Sequence, residues 1–286
     1  MGYDYLKKSI LFTGSNGYLG RNFLKTNSSK NIIKISSSLA NNNYIKCDLT
    51  NLSDVKNLFN SYNFSKIINL AGYVPKNKED YSSDQALINE LIINNIISYF
   101  KCDLFHFSTQ AVYENNSSLV ILEKNKINMP SNKYAIYKLN AEQQIKKRYK
   151  GKYYIIRIPG IFGADRKNGI IYNFIKFIKN EQNNKFKVNT PKIWSTMYYK
   201  DVNLLLAKLL KIKINNNLEI NYNYYNQPNL TGVINFIYNY YYNKNYIENT
   251  NNENYYFNQS NRLKNLGKIR FTLYQRLEEY IRVFND

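Results

Sequence analysis

The sequence predicts a doubly wound α/β protein: a parallel sheet flanked by helices. Three observations carry that expectation. Near the start, KSILFTGSNGYLGRNFL sets Gly14, Gly17 and Gly20 three apart, directly behind an apolar run. Short strands rich in β-branched residues then alternate with helical stretches, which implies right-handed crossovers and parallel pairing. Finally, the polar residues of DLFHFSTQAVY bunch at its C-terminal end, where open α/β sheets keep their ligand crevice.

A strand that runs into a glycine-rich turn and then a helix is a place to hold phosphate. The first glycine permits the tight turn, the second lets the backbone approach a pyrophosphate, and the third lets helix and strand pack closely. Ser15, Asn16, Tyr18 and Leu19 complete this turn, and residues 22–26 continue its helix. NIIKIS reads as the second strand. An acidic residue at its end would accept hydrogen bonds from an adenosine ribose. The chain places Ser36, Ser37 and Ser38 there instead. Uncharged hydroxyls admit a 2′-phosphate, with Lys34 or Arg21 at hand to hold it, so the reading leans to NADP, with NAD as the alternative.

YIKCDLT is expected as a short third strand ending in Asp48, and residues 51–62 have helical apolar spacing. KIINLAGYV follows as a buried strand and ALINELIINNIISYF as a long helix. In DLFHFSTQAVY the single histidine, His106, alternates with Phe105 and Phe107 and is read as structural rather than catalytic. Ser108 and Thr109 lie farther along, toward the crevice. The next helix, KYAIYKLNAEQQIKKRYK, carries Tyr134 and Lys138 four residues apart, so both project to one side. A neighbouring ammonium favours the phenolate, which suits Tyr134 to proton transfer, and the Thr109 hydroxyl can hold the carbonyl oxygen that receives the proton. With 29 tyrosines in the chain, Tyr137 competes for that role on spacing alone.

Composition narrows the function class. The chain has 286 residues and a formal charge of +20, enough length for one large α/β domain with a small appendage. The charge excess is mostly lysine, scattered among Asn, Ile and Tyr, all residues with AT-rich codons. No arginine cluster or RNA-binding motif accompanies it, which argues against nucleic acid as the partner. Cys47 and Cys102 lack metal-ligand spacing and are expected as small buried residues. The absence of a leader and of a membrane-length apolar stretch makes the cytoplasm the expected location, with no membrane partner.

Taken in order, TGSNGYLG, CDLT, NLAG, FSTQAVY, YAIYK and RIPGIFG resemble the extended short-chain dehydrogenase/reductase family, the NAD(P)-dependent sugar-nucleotide epimerases, dehydratases and reductases. The closing segment FNQSNRLKNLGKIRFTLYQRLEEYI resembles the family's last helix, opened here by Thr272. The resemblance implies a Rossmann-type domain over residues 1–155 and a mainly substrate-binding subdomain over 156–286, with segments that return to the sheet. It also implies roles. Gly14, Gly17 and Gly20 would hold the pyrophosphate, Asp48 and Leu49 would flank adenine, and Leu70, Ala71 and Gly72 would line the cofactor cleft. Thr109, Tyr134 and Lys138 would form the triad, with Lys138 on the nicotinamide ribose. Pro159, Gly160 and Ile161 would pack near the nicotinamide. Ser108, Thr109, Gln110, Gly160, Asn173, Trp194 and Arg262 would meet a nucleotide-sugar substrate. A homodimer joined through helices near 86–100 and 134–150 is implied as well.

Departures from the family pattern choose among its reactions. The family's 4,6-dehydratases carry an Asp-Glu pair directly after the triad threonine; here those positions are Gln110 and Ala111. Elimination of water needs those further acid and base groups, so ketoreduction or epimerisation remains. The missing acidic residue after the second strand, the segment IINLAGYVPKNKED and the small substrate region favour a reductase of a 4-keto-6-deoxy type nucleotide sugar in polysaccharide biosynthesis. An NAD-dependent epimerase is the alternative, and a non-catalytic RNA-binding protein on the same fold the distant one. Gly160 replaces a frequent Asn, and Trp194 replaces an arginine that often meets the diphosphate, for which Lys192 or Arg262 can substitute. The Asn- and Tyr-rich stretch 214–261 is expected to form a strand, a helix capped by Thr231 and a loop.

Overall fold

The computed structural model describes all residues except 1–7, 28, 30, 39–42, 117–119, 124, 181–184, 189–193, 226, 248–255, 258–265, 268 and 285–286. In chain order the elements are β1 (Ser9–Thr13), α1 (Tyr18–Leu24), β2 (Ile32–Ser36), β3 (Ile45–Lys46), α2 (Leu52–Ser61), β4 (Phe64–Asn69), α3 (Ile88–Tyr99), β5 (Asp103–Thr109), β6 (Val120–Ile121) and α4 (Lys133–Arg148). There follow β7 (Tyr153–Ile158), β8 (Gly160–Phe162), α5 (Ile170–Lys179), β9 (Thr196–Tyr198), α6 (Tyr199–Lys211), β10 (Leu218–Asn221), α7 (Leu230–Tyr242), β11 (Tyr256–Phe257) and α8 (Leu273–Arg282). A 3₁₀ turn over Gln110–Tyr113 follows β5.

The chain divides into two compact units: Met1–Asn115, Asn128–Arg157 and Asn203–Ile220 in the first, and Asn116–Ile127, Ile158–Val202 and Asn221–Asp286 in the second. The first unit holds the main sheet, in the order β10-β7-β5-β4-β1-β2-β3. The run from β3 to β5 is parallel throughout. Strands covered on both faces read as continuous apolar runs, and Leu11, Phe12, Ile67, Ile68, Leu104 and Phe105 are fully buried. A core of Leu, Ile, Val and Phe joins the sheet to the inner faces of α2, α3 and α4. This Rossmann-like sheet places β1, β4 and β5 side by side with their C-terminal ends together.

Local chemistry sets the helix ends. The Asn51 side chain accepts the Ser53 and Asp54 N–H groups and opens α2, and Asn132 accepts the Ala135 N–H and opens α4. The C-terminus of α6 is closed by a buried lysine of the sheet. Lys66 Nζ donates to the carbonyls of Leu209 (2.8 Å), Leu210 (2.9 Å) and Ile212 (2.6 Å), where a cation meets the negative end of the helix dipole.

The second unit contains two short parallel pairs, β6 with β11 and β8 with β9, together with α5, α7 and α8. The Asn- and Tyr-rich stretch does supply β10 and α7, but its cap is not Thr231. Asn229 has extended backbone and accepts the Gly232 N–H (2.8 Å), so the helix starts one residue before Thr231, which is buried inside its first turn. Asparagine caps at least as well as threonine, and it stands nearer the preceding Pro228. Thr272 opens α8 as expected, in a reciprocal capping box with Gln275. Among the described residues no helix is long and apolar enough to cross a membrane.

Candidate active site

The glycine turn is built by steric exclusion. Gly14 has φ +65°, and a Cβ there would lie 2.6 Å from the Leu70 carbonyl carbon and 2.7 Å from the Ala71 nitrogen. A Cβ on Gly20 would stand 2.2 Å from the Gly14 oxygen. The first glycine thus lets the turn press on the segment after β4, and the third lets α1 close onto the turn. Gly17 caps α1 without a side-chain bond, and no acidic residue occupies the first helical turn. Asn16 and Gly17 are exposed, while Tyr18 and Leu19 are half-buried. The glycine cradle at the positive end of α1 fits an anionic pyrophosphate. Ser15 contributes no hydroxyl to that cradle: it is fully buried and its Oγ donates to the Phe12 carbonyl (2.6 Å).

A polar row crosses the neighbouring strand ends. Thr13, Asn69 and His106 are in register on β1, β4 and β5. Thr13 Oγ1 donates to Asn69 Oδ1 (2.5 Å) and accepts the Ala71 N–H (3.2 Å), and Asn69 Nδ2 lies 3.0 Å from His106 Nδ1. An amide nitrogen only donates, so Nδ1 accepts and the ring proton sits on Nε2. Burial, with the Lys138 charge in support, pushes the His106 pKa well below its ordinary value and keeps the ring neutral. This row fixes Ala71 against the glycine turn. Sequence reasoning had no part of it beyond His106.

Farther along β5 the side chains divide. Ser108, expected at the substrate, is buried instead, and its hydroxyl donates to Glu142 Oε1 (2.5 Å). Thr109 is half-buried, and its Oγ1 accepts the Ala111 N–H (3.2 Å) as cap of the 3₁₀ turn, which leaves its own O–H to donate. Gln110 begins that turn and is half-buried. The turn leads into Glu114, whose Oε2 accepts the N–H groups of Ser131 (3.0 Å) and Asn132 (3.4 Å) and the Asn132 side-chain amide (2.8 Å). The residue after the threonine's turn therefore holds the start of α4, two residues before Tyr134.

Tyr134 is buried, with the Tyr81 ring edge-on at 5.7 Å. One helical turn later Lys138 is buried too, and its Nζ donates to the Phe107 carbonyl (2.7 Å). Burial lowers the Lys138 pKa to about 8, against the pull of Glu142, so the ammonium form still prevails at neutral pH. Glu142 lies one turn further and accepts from Arg157 Nε (3.0 and 3.2 Å) and Nη2 (2.6 Å). Arg157 also donates to the Tyr113 hydroxyl (2.6 Å) and Glu219 (2.5 Å). This buried cluster was not anticipated from the sequence.

The remaining expected residues take varied positions. The Ser36 hydroxyl turns to the Ser38 carbonyl (2.5 Å), Ser37 is exposed, and Lys34 lies over the Tyr44 ring. One Asp48 carboxylate oxygen is held by the Thr50 N–H and hydroxyl, and the Leu49 carbonyl accepts from Asn95. Gly72 is exposed, and a Cβ there would lie 2.3 Å from the Asn89 side-chain oxygen. In the second unit Pro159 and Ile161 are buried, Gly160 is exposed at the start of β8, Asn173 is exposed on α5 and Trp194 is half-buried. Lys192 and Arg262 lie outside the described residues. Cys47 and Cys102 are free thiols whose pKa values burial raises to about 12. Among the described residues no group of three ligating side chains forms a metal site.

The family model described as RmlD substrate binding domain matches residues 8–231. The chain belongs to that family, within the extended short-chain dehydrogenase/reductases. Solved structures agree on the fold. The dTDP-4-dehydrorhamnose reductase of Bacillus anthracis, solved with NADP, superposes with a TM-score of 0.76 at 20% identity, covering 98% of this chain and 100% of that one. The UDP-N-acetylglucosamine 4-epimerase of Bacillus cereus gives 0.74 at 18%, covering 97% and 99%. The dTDP-4-dehydrorhamnose reductase of Clostridium acetobutylicum gives 0.71 at 21%, covering 96% and 99%. No curated protein matches the chain in sequence.

Proposed function

We propose that this family member is an NADPH-dependent reductase of the keto group of a nucleotide-linked sugar of the 4-keto-6-deoxy type. The observation that carries the reading is the buried Tyr134–Lys138 pair on α4, with Lys138 bonded to the strand that ends in Thr109. When bound, a reduced nicotinamide supplies the hydride. Tyr134 supplies the proton to the developing alkoxide, the Lys138 ammonium favours the phenolate left behind, and Thr109 donates its hydroxyl to the same oxygen. Gly14, Gly17 and Gly20 seat the pyrophosphate, and Leu70, Ala71 and Gly72 bound the cleft. The absence of an acidic residue at Ser36–Ser38 supports the 2′-phosphorylated cofactor. Gln110 and Ala111 provide no additional acid or base for dehydration.

The test is NADPH oxidation with a panel of 4-keto nucleotide sugars, after mass spectrometry of any dinucleotide released on denaturation. Tyr134→Phe is expected to lower turnover roughly 10²- to 10⁴-fold without a change in melting temperature. Retained NAD without net consumption of NADPH would transfer the assignment to an epimerase. A homodimer belongs to the same reading, supported by the exposed Leu87 and by Leu91 on α3, and light scattering in solution measures it.

A further inference from the structure

We propose that Glu142 is a positioning residue for two members of the triad: it stands one turn from Lys138 on the same face of α4 and fixes the end of β5 that presents Thr109. The proposal rests on the reductase reading of the site. Glu142 is fully buried on the face of α4 that carries Tyr134 and Lys138, at successive spacings of four. Residues at i and i+4 are neighbours on a helix. Its Oε1 accepts the Ser108 hydroxyl at 2.5 Å, and Lys138 Nζ donates to the carbonyl of Phe107. Two consecutive residues of β5 are thereby tied to α4, and Thr109 is the next.

Arg157 makes the arrangement possible. It donates to both carboxylate oxygens of Glu142 through Nε and Nη2, a buried charge-assisted pair. The groups facing Lys138 are Glu142 and Tyr134 on its own helix, and the neutral His106 and the Phe107 carbonyl on β5. Glu142 is the anion among them. A purely structural Glu142–Arg157 pair would lower stability when broken and leave the Lys138 titration where it was. Glu219 supplies the comparison: it touches the same Arg157 but neither Ser108 nor any triad residue.

The titration of Lys138 is read in the dinucleotide-free full chain by NMR of ¹³Cε-lysine, with Lys138→Arg to assign the signal. In Glu142→Gln the midpoint is expected to fall by about one pH unit, and in Glu219→Gln to stay. An unmoved midpoint in Glu142→Gln, or an equal move in both, overturns the proposal. Should Glu142→Gln not fold, Glu142→Asp draws the charge back by one methylene and is expected to shift the midpoint the same way by less; no shift there counts equally against it. Ser108→Ala leaves the ion pair intact and is expected to lower turnover about 3- to 10-fold with NADPH affinity unchanged; full turnover overturns the β5 half. The titration requires no dinucleotide, so the two failures are told apart: a wild type that does not bind NADPH sinks the reductase reading, whereas a wild type that turns over with an unmoved midpoint in Glu142→Gln sinks only this proposal.

Discussion

Arg157 in the first unit and Arg276 in the second each grip a buried carboxylate through Nε and Nη2, Glu142 in one case and Asp201 in the other. Each also reaches an outer glutamate, Glu219 or Glu279, which a surface lysine joins. The chemistry is the same; the neighbours differ. Asp201 accepts the Tyr224 hydroxyl (2.6 Å), and Arg276 lies over the Phe271 ring at 3.8 Å, so the second cluster ends in aromatic packing. Glu142 ends on Ser108 and beside Lys138. A buried ion pair is weak evidence for net stability, because desolvation offsets its attraction. Its consequence is set by what else the carboxylate holds, and among the described residues the first cluster adjoins the proposed triad while the second does not.

Breaking the two clusters tests that difference. Arg157→Met leaves Glu142 buried without its cation and is expected to cost about 3–5 kcal/mol, with turnover lost in whatever protein remains folded; calorimetry and NADPH oxidation read the two effects. Arg276→Met is expected to cost about 2–4 kcal/mol while the folded fraction keeps its turnover. If both arginines affect turnover alike, the contrast fails. Lys66 is the intermediate case, a buried cation held by three carbonyls and no carboxylate. Lys66→Met is expected to cost about 2 kcal/mol in denaturant unfolding, since the end of α6 loses its donor.

The smallest effect concerns acid. Burial alone would raise Glu219, but Arg157 and Lys146 hold its pKa below the ordinary carboxylate value. Burial likewise opposes, and Lys200 and Arg276 outweigh it, at Glu279. A depressed folded-state pKa contributes stability that is complete above the unfolded value and is lost as pH falls through the folded one. Glu219→Gln should therefore flatten the loss of stability as pH falls below the ordinary carboxylate range. Glu279→Gln should flatten it less, because that carboxylate is nearer to solvent.

The glycine turn, the alternating strands and the ordering of Thr109, Tyr134 and Lys138 were legible because each depends on local spacing. A turn that excludes Cβ must be glycine wherever the chain comes from. The partners of those residues were not legible, since they arise from strands brought together across the sheet. Thr13 and Asn69 are unremarked polar residues until β1 and β4 align them with His106. A signal for the Glu142–Arg157 pair was nevertheless present. Glu142 continues the spacing of Tyr134 and Lys138 along the buried face of α4, and Arg157 interrupts the apolar run YYIIRI. A charge in phase with a core face asks for a counter-charge. In the second half of the chain, Asn and Tyr are so frequent that caps and rings compete. That is why Asn229 rather than Thr231 opens α7.

The edge position of β10 has a consequence for synthesis. That strand, Leu218–Asn221, completes a sheet whose other strands lie within the first 158 residues, and it pairs with β7. While the chain is being made, β7 waits for its neighbour until some sixty more residues have been translated, several seconds at about 5–20 residues per second. During that interval its open backbone edge can pair with another nascent chain. Slower translation through that interval would lengthen the exposure, and a fragment ending before residue 218 would keep it permanently.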